Sequence, residues 1–147
     1  MNFEEIVTQI TAKPVKSLAP YQPGKPEKAL KRELGVTDVV KLASNEHPLG
    51  ASPVAVDAIQ AAIGQLHRYP DGAAFELRAQ VAERFFVKPN QVTFGNGSSE
   101  VLEFVVRAFV EPTDSVVVSQ HAFSIYDLAT QAVGAKVIKV PALNYGH

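Results

Sequence analysis

Gln91-Val92-Thr93-Phe94 followed by Gly95-Asn96-Gly97-Ser98-Ser99, then Ser115-Val116-Val117-Val118-Ser119, then Lys136-Val137-Ile138-Lys139-Val140, is the stretch that decides the fold. The first run predicts a short strand and the glycine-rich segment a turn. Glu100 to Val110 then predicts an apolar helix closed by Glu111-Pro112. The β-branched run 115–119 is of the kind found in strands buried on both faces. Ala122 to Val133 predicts a helix stopped by Gly134, and 136–140 a third strand. Strand, helix, strand, helix, strand implies parallel strands joined by crossovers, hence an α/β sheet.

Working outward, the first half is punctuated unevenly. Phe3, Ile6, Val7 and Ile10 form one face of a short amphipathic helix, after which Pro14, Pro20, Pro23, Gly24 and Pro26 predict an irregular arm. Glu27 to Leu34 predicts a second helix stopped by Gly35. Val39 to Ala43 is strand-like and runs into a loop, Ser44-Asn45-Glu46-His47-Pro48-Leu49-Gly50. Ser52 and Pro53 predict a capped helix start, with Val56, Ile59, Ala62, Ile63 and Leu66 on its apolar face. Leu66 to Gly72 predicts a turn, and a helix carrying Phe75, Leu77, Val81, Ala82, Phe85 and Phe86 runs to Val87.

The 147 residues are 46% hydrophobic and 20% charged, ordinary for a globular chain of about one domain. A compact chain of this length buries roughly 68–70% of its unfolded surface. Fourteen basic against fifteen acidic residues, without a long run of either sign, argue against nucleic-acid binding. Without cysteine there is neither a disulfide framework nor a thiolate site, and a zinc ion would have to rest on four scattered histidines, so no metal is expected. The first residues do not resemble a secretory signal. No apolar run approaches the roughly 20 residues of a membrane helix. These features predict a cytoplasmic protein with no membrane partner.

The turn at 95–99 leads a strand into a helix start, where free amides and the helix dipole favour a phosphate. It lacks the lysine of the nucleotide-hydrolase loop. It also lacks the third glycine of the dinucleotide fingerprint, where Glu100 stands, and the acidic residue expected near Ser119 and Gln120. What remains is either a generic phosphate cup or a plain capping turn.

Two further segments bear on that choice together with the turn itself: Lys41 to Gly50, then His67-Arg68-Tyr69-Pro70-Asp71-Gly72, then Gly95 to Glu100. In this order and spacing they resemble the N-terminal part of the class I/II aminotransferases, closest to the histidinol-phosphate aminotransferase subgroup. Ala19 to Gly24 and Ala122 to Tyr126 also resemble that subgroup. The resemblance implies the N-terminal part of the three-layer large domain of a fold-type I pyridoxal-phosphate enzyme, with a mostly parallel sheet that is incomplete here. Residues 1–50 would form an arm and substrate loop, and 51–147 part of the cofactor-binding domain. Gly97, Ser98 and Ser99 would hold the phosphate of pyridoxal 5′-phosphate, and Phe123 would stack on its pyridine ring. Tyr69 would reach the phosphate bound by the other subunit of a homodimer, while Asn45 and Tyr21 would line the substrate pocket. His47 departs from the asparagine commoner there. His121 and Arg68 are ambiguous between ligand contact and ordinary loop positions.

In the resembling family the Schiff-base lysine, the aspartate at the pyridine nitrogen and the substrate-gripping arginine lie beyond position 147. No catalytic residue is therefore assigned, and this chain alone is expected to be inactive. The family's strand order separates 91–94 from 115–119 by later strands, so the two are not expected to pair within 147 residues. The implied function is transfer of an amino group between histidinol phosphate, or a related amino acid, and 2-oxoglutarate or glutamate, in histidine biosynthesis. The alternatives are an aromatic-amino-acid aminotransferase, a decarboxylase or lyase using the same cofactor, and a non-catalytic remnant or anion-binding module of the same fold.

Overall fold

The structure, a computed structural model, describes residues 2–42 and 44–144. In chain order they form α1 (Phe3–Ile10), α2 (Lys13–Lys16), α3 (Glu27–Leu34), α4 (Pro53–Ala62), α5 (Phe75–Phe85), α6 (Ser98–Phe109), β1 (Ser115–Ser119), α7 (Ile125–Ala132) and β2 (Lys136–Val140). Short 3-10 turns follow α4 and α5, at Ile63–Gln65 and Pro89–Gln91. The chain divides into two units, Met1–Tyr21 with Thr93–His147, and Gln22–Val92.

The first unit is built on a parallel pair, β1 with β2, in register from Ser115 opposite Lys136 to Ser119 opposite Val140. Parallel strands cannot be joined by a hairpin, and α7 is the crossover between them. Its inner face is small: Ala129 and Thr130 are buried there, with Ala135 just beyond the helix and Val118 on β1. Thr130, at 0% exposure, would be costly with an idle hydroxyl. Its Oγ1 instead donates to the Tyr126 carbonyl at 2.7 Å.

The helix ends in a Schellman motif: the Gly134 N–H donates to Gln131 O and the Ala135 N–H to Thr130 O. Gly134 takes the left-handed conformation this needs, φ 85°. A Cβ there would also lie 3.3 Å from Pro14 Cγ, so α2 approaches closely at this end of α7. Asp127 on α7 and Lys139 on β2 add an ion pair at 2.7 Å.

In the second unit α3 ends as expected at Gly35, φ 64°. Arg78 of α5 donates through its guanidinium to the carbonyl of Val92, tying the helix to the segment that follows it. Ala82 is the one buried hydrophobic residue among those described in this unit. Val54, Val56, Ile59, Ile63 and Leu66, the apolar side of α4 and the turn after it, are exposed.

Several expectations are corrected. Gln91 to Phe94 forms no strand: Gln91 closes a 3-10 turn, and 92–94 takes no part in the sheet. Val39 to Leu42 is likewise not a strand, while Ala43 lies outside the described residues. Both runs have strand composition, but a strand exists only where a partner supplies the ladder. β1 is not buried on both faces, since Val118 is buried while Val117 is 65% exposed. Only the side covered by α7 is closed. Ser52 stands at the start of α4 without a side-chain cap. α7 begins at Ile125 rather than Ala122, because Ser119 to Ala122 is spent on a turn in which the Ala122 N–H donates to Ser119 O. The arm is not irregular throughout: it contains one helical turn, α2, with Pro14 in its first turn, where proline is tolerated.

Burial is correspondingly low. A compact monomer of this mass exposes about 7,400 Å² and its unfolded chain about 23,000 Å². This chain exposes 12808 Å², so it buries less than half of its unfolded surface. We expect the isolated 147 residues to melt broadly or to self-associate. Circular dichroism with sedimentation checks this, and a sharp melt from a monomer is the contrary result.

Candidate functional site

The glycine turn is shaped by two different demands. Gly97 adopts φ 79° and ψ 171° at the N-cap of α6, a conformation disfavoured for L side chains. Gly95 is needed for space: a Cβ there would stand 3.0 Å from Val101 Cγ2 and 3.2 Å from the Val101 nitrogen. The Gly97 N–H closes the turn onto Gly95 O at 2.8 Å.

α6 is 12 residues long and has no side-chain cap. The N–H groups of Ser98, Ser99 and Glu100 lie in its first turn, where no intrahelical acceptor exists. Together with the dipole they suit an anion. The Ser98 side chain is exposed and that of Ser99 partly buried, so hydroxyl donors are within the same turn. This donor set fits a phosphate group.

Glu100 is the residue sequence reasoning missed. Its carboxylate accepts the Asn96 N–H at 2.5 Å and the Asn96 amide at 3.3 Å, bracing the turn from the third helical position. Acidic residues at that position commonly reach back over the helix start, and this spacing was the available signal.

Phe123 lies past the carboxyl end of β1, where ligands bind in open parallel sheets. With Val118, Ser119, His121, Ala122 and Tyr126 it lines an open hollow of about 500 Å³. Phe123 is 46% exposed, and its ring meets the Tyr21 ring edge-on, centroids 5.7 Å apart at 81°. Two of the expected site residues are thus in contact, and His121 shares the hollow with one of them.

Tyr69 and Asn45 belong to the other unit. Asn45 is exposed in a turn where both it and Ser44 have left-handed backbone, φ 47° and 76°. His47 has a local task there, its Nδ1 accepting the Leu49 N–H at 3.1 Å. Tyr69 is 102% exposed. Just after it, the Asp71 carboxylate accepts the N–H groups of Phe75 and Ala73, at 2.8 and 2.9 Å. These two bonds, Phe75 first, hold the Asp71 pKa below its usual value.

Among the described residues no group of three or more His, Asp or Glu side chains is placed to hold a metal ion. None of the described helices is long and apolar enough to cross a membrane.

The family model for aminotransferase class I and II matches residues 37–146. "Histidinol-phosphate aminotransferase 2" of Nitrosospira multiformis is 50% identical over 135 residues, covering 90% of this chain and 34% of the relative. "Histidinol-phosphate aminotransferase 1" of Nitrosococcus oceani is 48% identical over 144 residues, covering 98% of this chain and 39% of the relative. The chain thus spans little more than a third of the length of these curated relatives. A crystal structure of histidinol-phosphate aminotransferase from Sinorhizobium meliloti in complex with pyridoxal 5′-phosphate superposes with TM-score 0.78 at 24% identity, over 92% of this chain and 35% of that one. That likeness establishes a shared fold, of which this chain holds part.

In a protein carrying this chain together with the downstream sequence found in its relatives, Gly95→Ala is expected to destabilise by about 1–3 kcal/mol, because the added methyl crowds helix backbone as well as a side chain. Denaturant unfolding measures this, and an unchanged midpoint would contradict the close approach.

Proposed function

The chain belongs to the class I and II aminotransferase family, and from that membership we propose that it is the N-terminal part of a pyridoxal-phosphate-dependent transaminase acting on histidinol phosphate. The observation that carries the proposal is the identity of about half, over 90% or more of this chain, to proteins named histidinol-phosphate aminotransferase. The uncapped start of α6 supports it with a donor set of the right kind.

The cofactor, when bound, supplies an electron sink for the charge that develops at the substrate carbon. This chain's residues do the holding. Gly97, Ser98 and Ser99 take the phosphate through backbone N–H and hydroxyl donors. Phe123 offers a flat apolar face to the pyridine ring. Tyr69, whose phenol is wholly exposed, is suited to donate to the phosphate in a partner subunit, so the working assembly is a homodimer. Asn45 and Tyr21 line the substrate pocket. Residues 1–50 serve as arm and substrate loop and 51–147 as part of the cofactor domain, working in the cytoplasm in histidine biosynthesis.

The test uses a protein carrying this chain together with the downstream two thirds found in its relatives. It should transfer the amino group of histidinol phosphate to 2-oxoglutarate with a higher kcat/KM than that of phenylalanine. A preference for phenylalanine would move the protein to the aromatic transaminases, and no transfer from either would overturn the reading. Ser98→Ala and Ser99→Ala should each weaken cofactor retention about tenfold, the worth of one hydrogen bond to a charged group. In the 147 residues alone, pyridoxal phosphate and borohydride should mark no single lysine stoichiometrically. One dominant labelled lysine would show that the attachment residue lies within them.

A further inference from the structure

We propose that Tyr21 is a positioning residue for Phe123, and that the segment from Pro14 to Tyr21 is a strap along α7 that presents the Phe123 ring in a fixed orientation. The inference rests on the proposed stacking of that ring on the cofactor. It adds how the ring is held.

Phe123 needs holding. Its side chain is nearly half exposed, and the terminal torsion of a phenylalanine is broad unless neighbours restrict it. The ring contact found for it among the described residues is with Tyr21, in the edge-to-face geometry that aromatic quadrupoles favour.

The course of the strap follows from contacts at both ends of one helix. At the carboxyl end of α7, Pro14 lies against Gly134, close enough that a Cβ on the glycine would crowd it. Leu18 and Pro20 line a groove of about 490 Å³ whose other walls are Leu128 and Ala132 of α7 and Glu103 and Arg107 of α6. Tyr21 then meets Phe123, which precedes the amino end of the same helix. The arm therefore runs antiparallel to α7. The eight residues of the helix span about 12 Å, and the strap is long enough to cover that distance without being fully extended. Val15 and Leu18 close a turn within it, the Leu18 N–H donating to Val15 O at 3.2 Å. A ring oriented beforehand loses less freedom when a flat ligand stacks on it, which raises affinity without a new contact.

The contact observed is between the two rings, so Tyr21→Phe should keep it and Tyr21→Leu should lose it. The experiment uses the full-length protein. In its cofactor-free form, NMR should show Phe123 ring protons displaced by ring current in the parent and in Tyr21→Phe, and returned to ordinary values in Tyr21→Leu. With pyridoxal phosphate as the probe, Tyr21→Leu should bind about threefold to tenfold more weakly, the worth of one such aromatic pair. It should also show weaker visible circular dichroism of the bound cofactor, with Tyr21→Phe restoring both.

Unchanged affinity and dichroism in Tyr21→Leu would overturn the proposal. So would a Tyr21→Phe variant as impaired as Tyr21→Leu, which would assign the effect to the hydroxyl. A parent that binds no pyridoxal phosphate would sink the cofactor reading instead, and the cofactor-free spectra would still decide whether the strap orients the ring.

Discussion

A parallel strand pair cannot stand by itself, because each strand needs a crossover to reach its partner and a helix to cover the face it shares. Much of the Met1–Tyr21 and Thr93–His147 unit follows from meeting that need once, with α7. The helix comes close to β1 and β2 because Ala129, Thr130 and Ala135 are small or internally satisfied. It ends where Gly134 turns the chain back into β2. The same placement puts residues 120–123 in the loop at the carboxyl end of β1, which is where the hollow carrying Phe123 and His121 opens. Cover on the opposite side of the sheet is not supplied by the described residues, and Val117 remains exposed there.

The sequence was most legible where structure is local. α1 and α3 occupy the expected residues, because capping and the 3.6-residue period are written within a few positions of each helix end. β1 and β2 were legible because both partners of that pair are present and joined by a single helix. Gln91 to Phe94 and Val39 to Leu42 misled for the complementary reason. Their composition records a tendency to be a strand, whereas being one depends on a neighbour that no local pattern specifies.

The candidate site divides along the same line. The turn at 95–99 was legible as a glycine-rich lead into a helix, with an anion cup and a plain capping turn both open from its residues alone, and α6 begins at Ser98, two residues before the expected Glu100. The bracing of Asn96 by Glu100 was written in the spacing but passed over. The meeting of Tyr21 with Phe123 was not written anywhere. It depends on how the arm crosses α7, and thus on tertiary packing between segments far apart in the chain.

The open strand also has a consequence during synthesis. β1 is a five-residue run of serines and valines with no charge inside it, bounded by Asp114. Such a run is a template for pairing with any extended chain nearby. At about 5–20 residues per second, roughly 1–4 s pass on the ribosome between the emergence of β1 and that of its partner β2. Through that interval Val116, Val117 and Val118 are safe only if α7 folds over them early or a chaperone covers them, so the order of events at the exit tunnel matters for this chain as much as its final contacts.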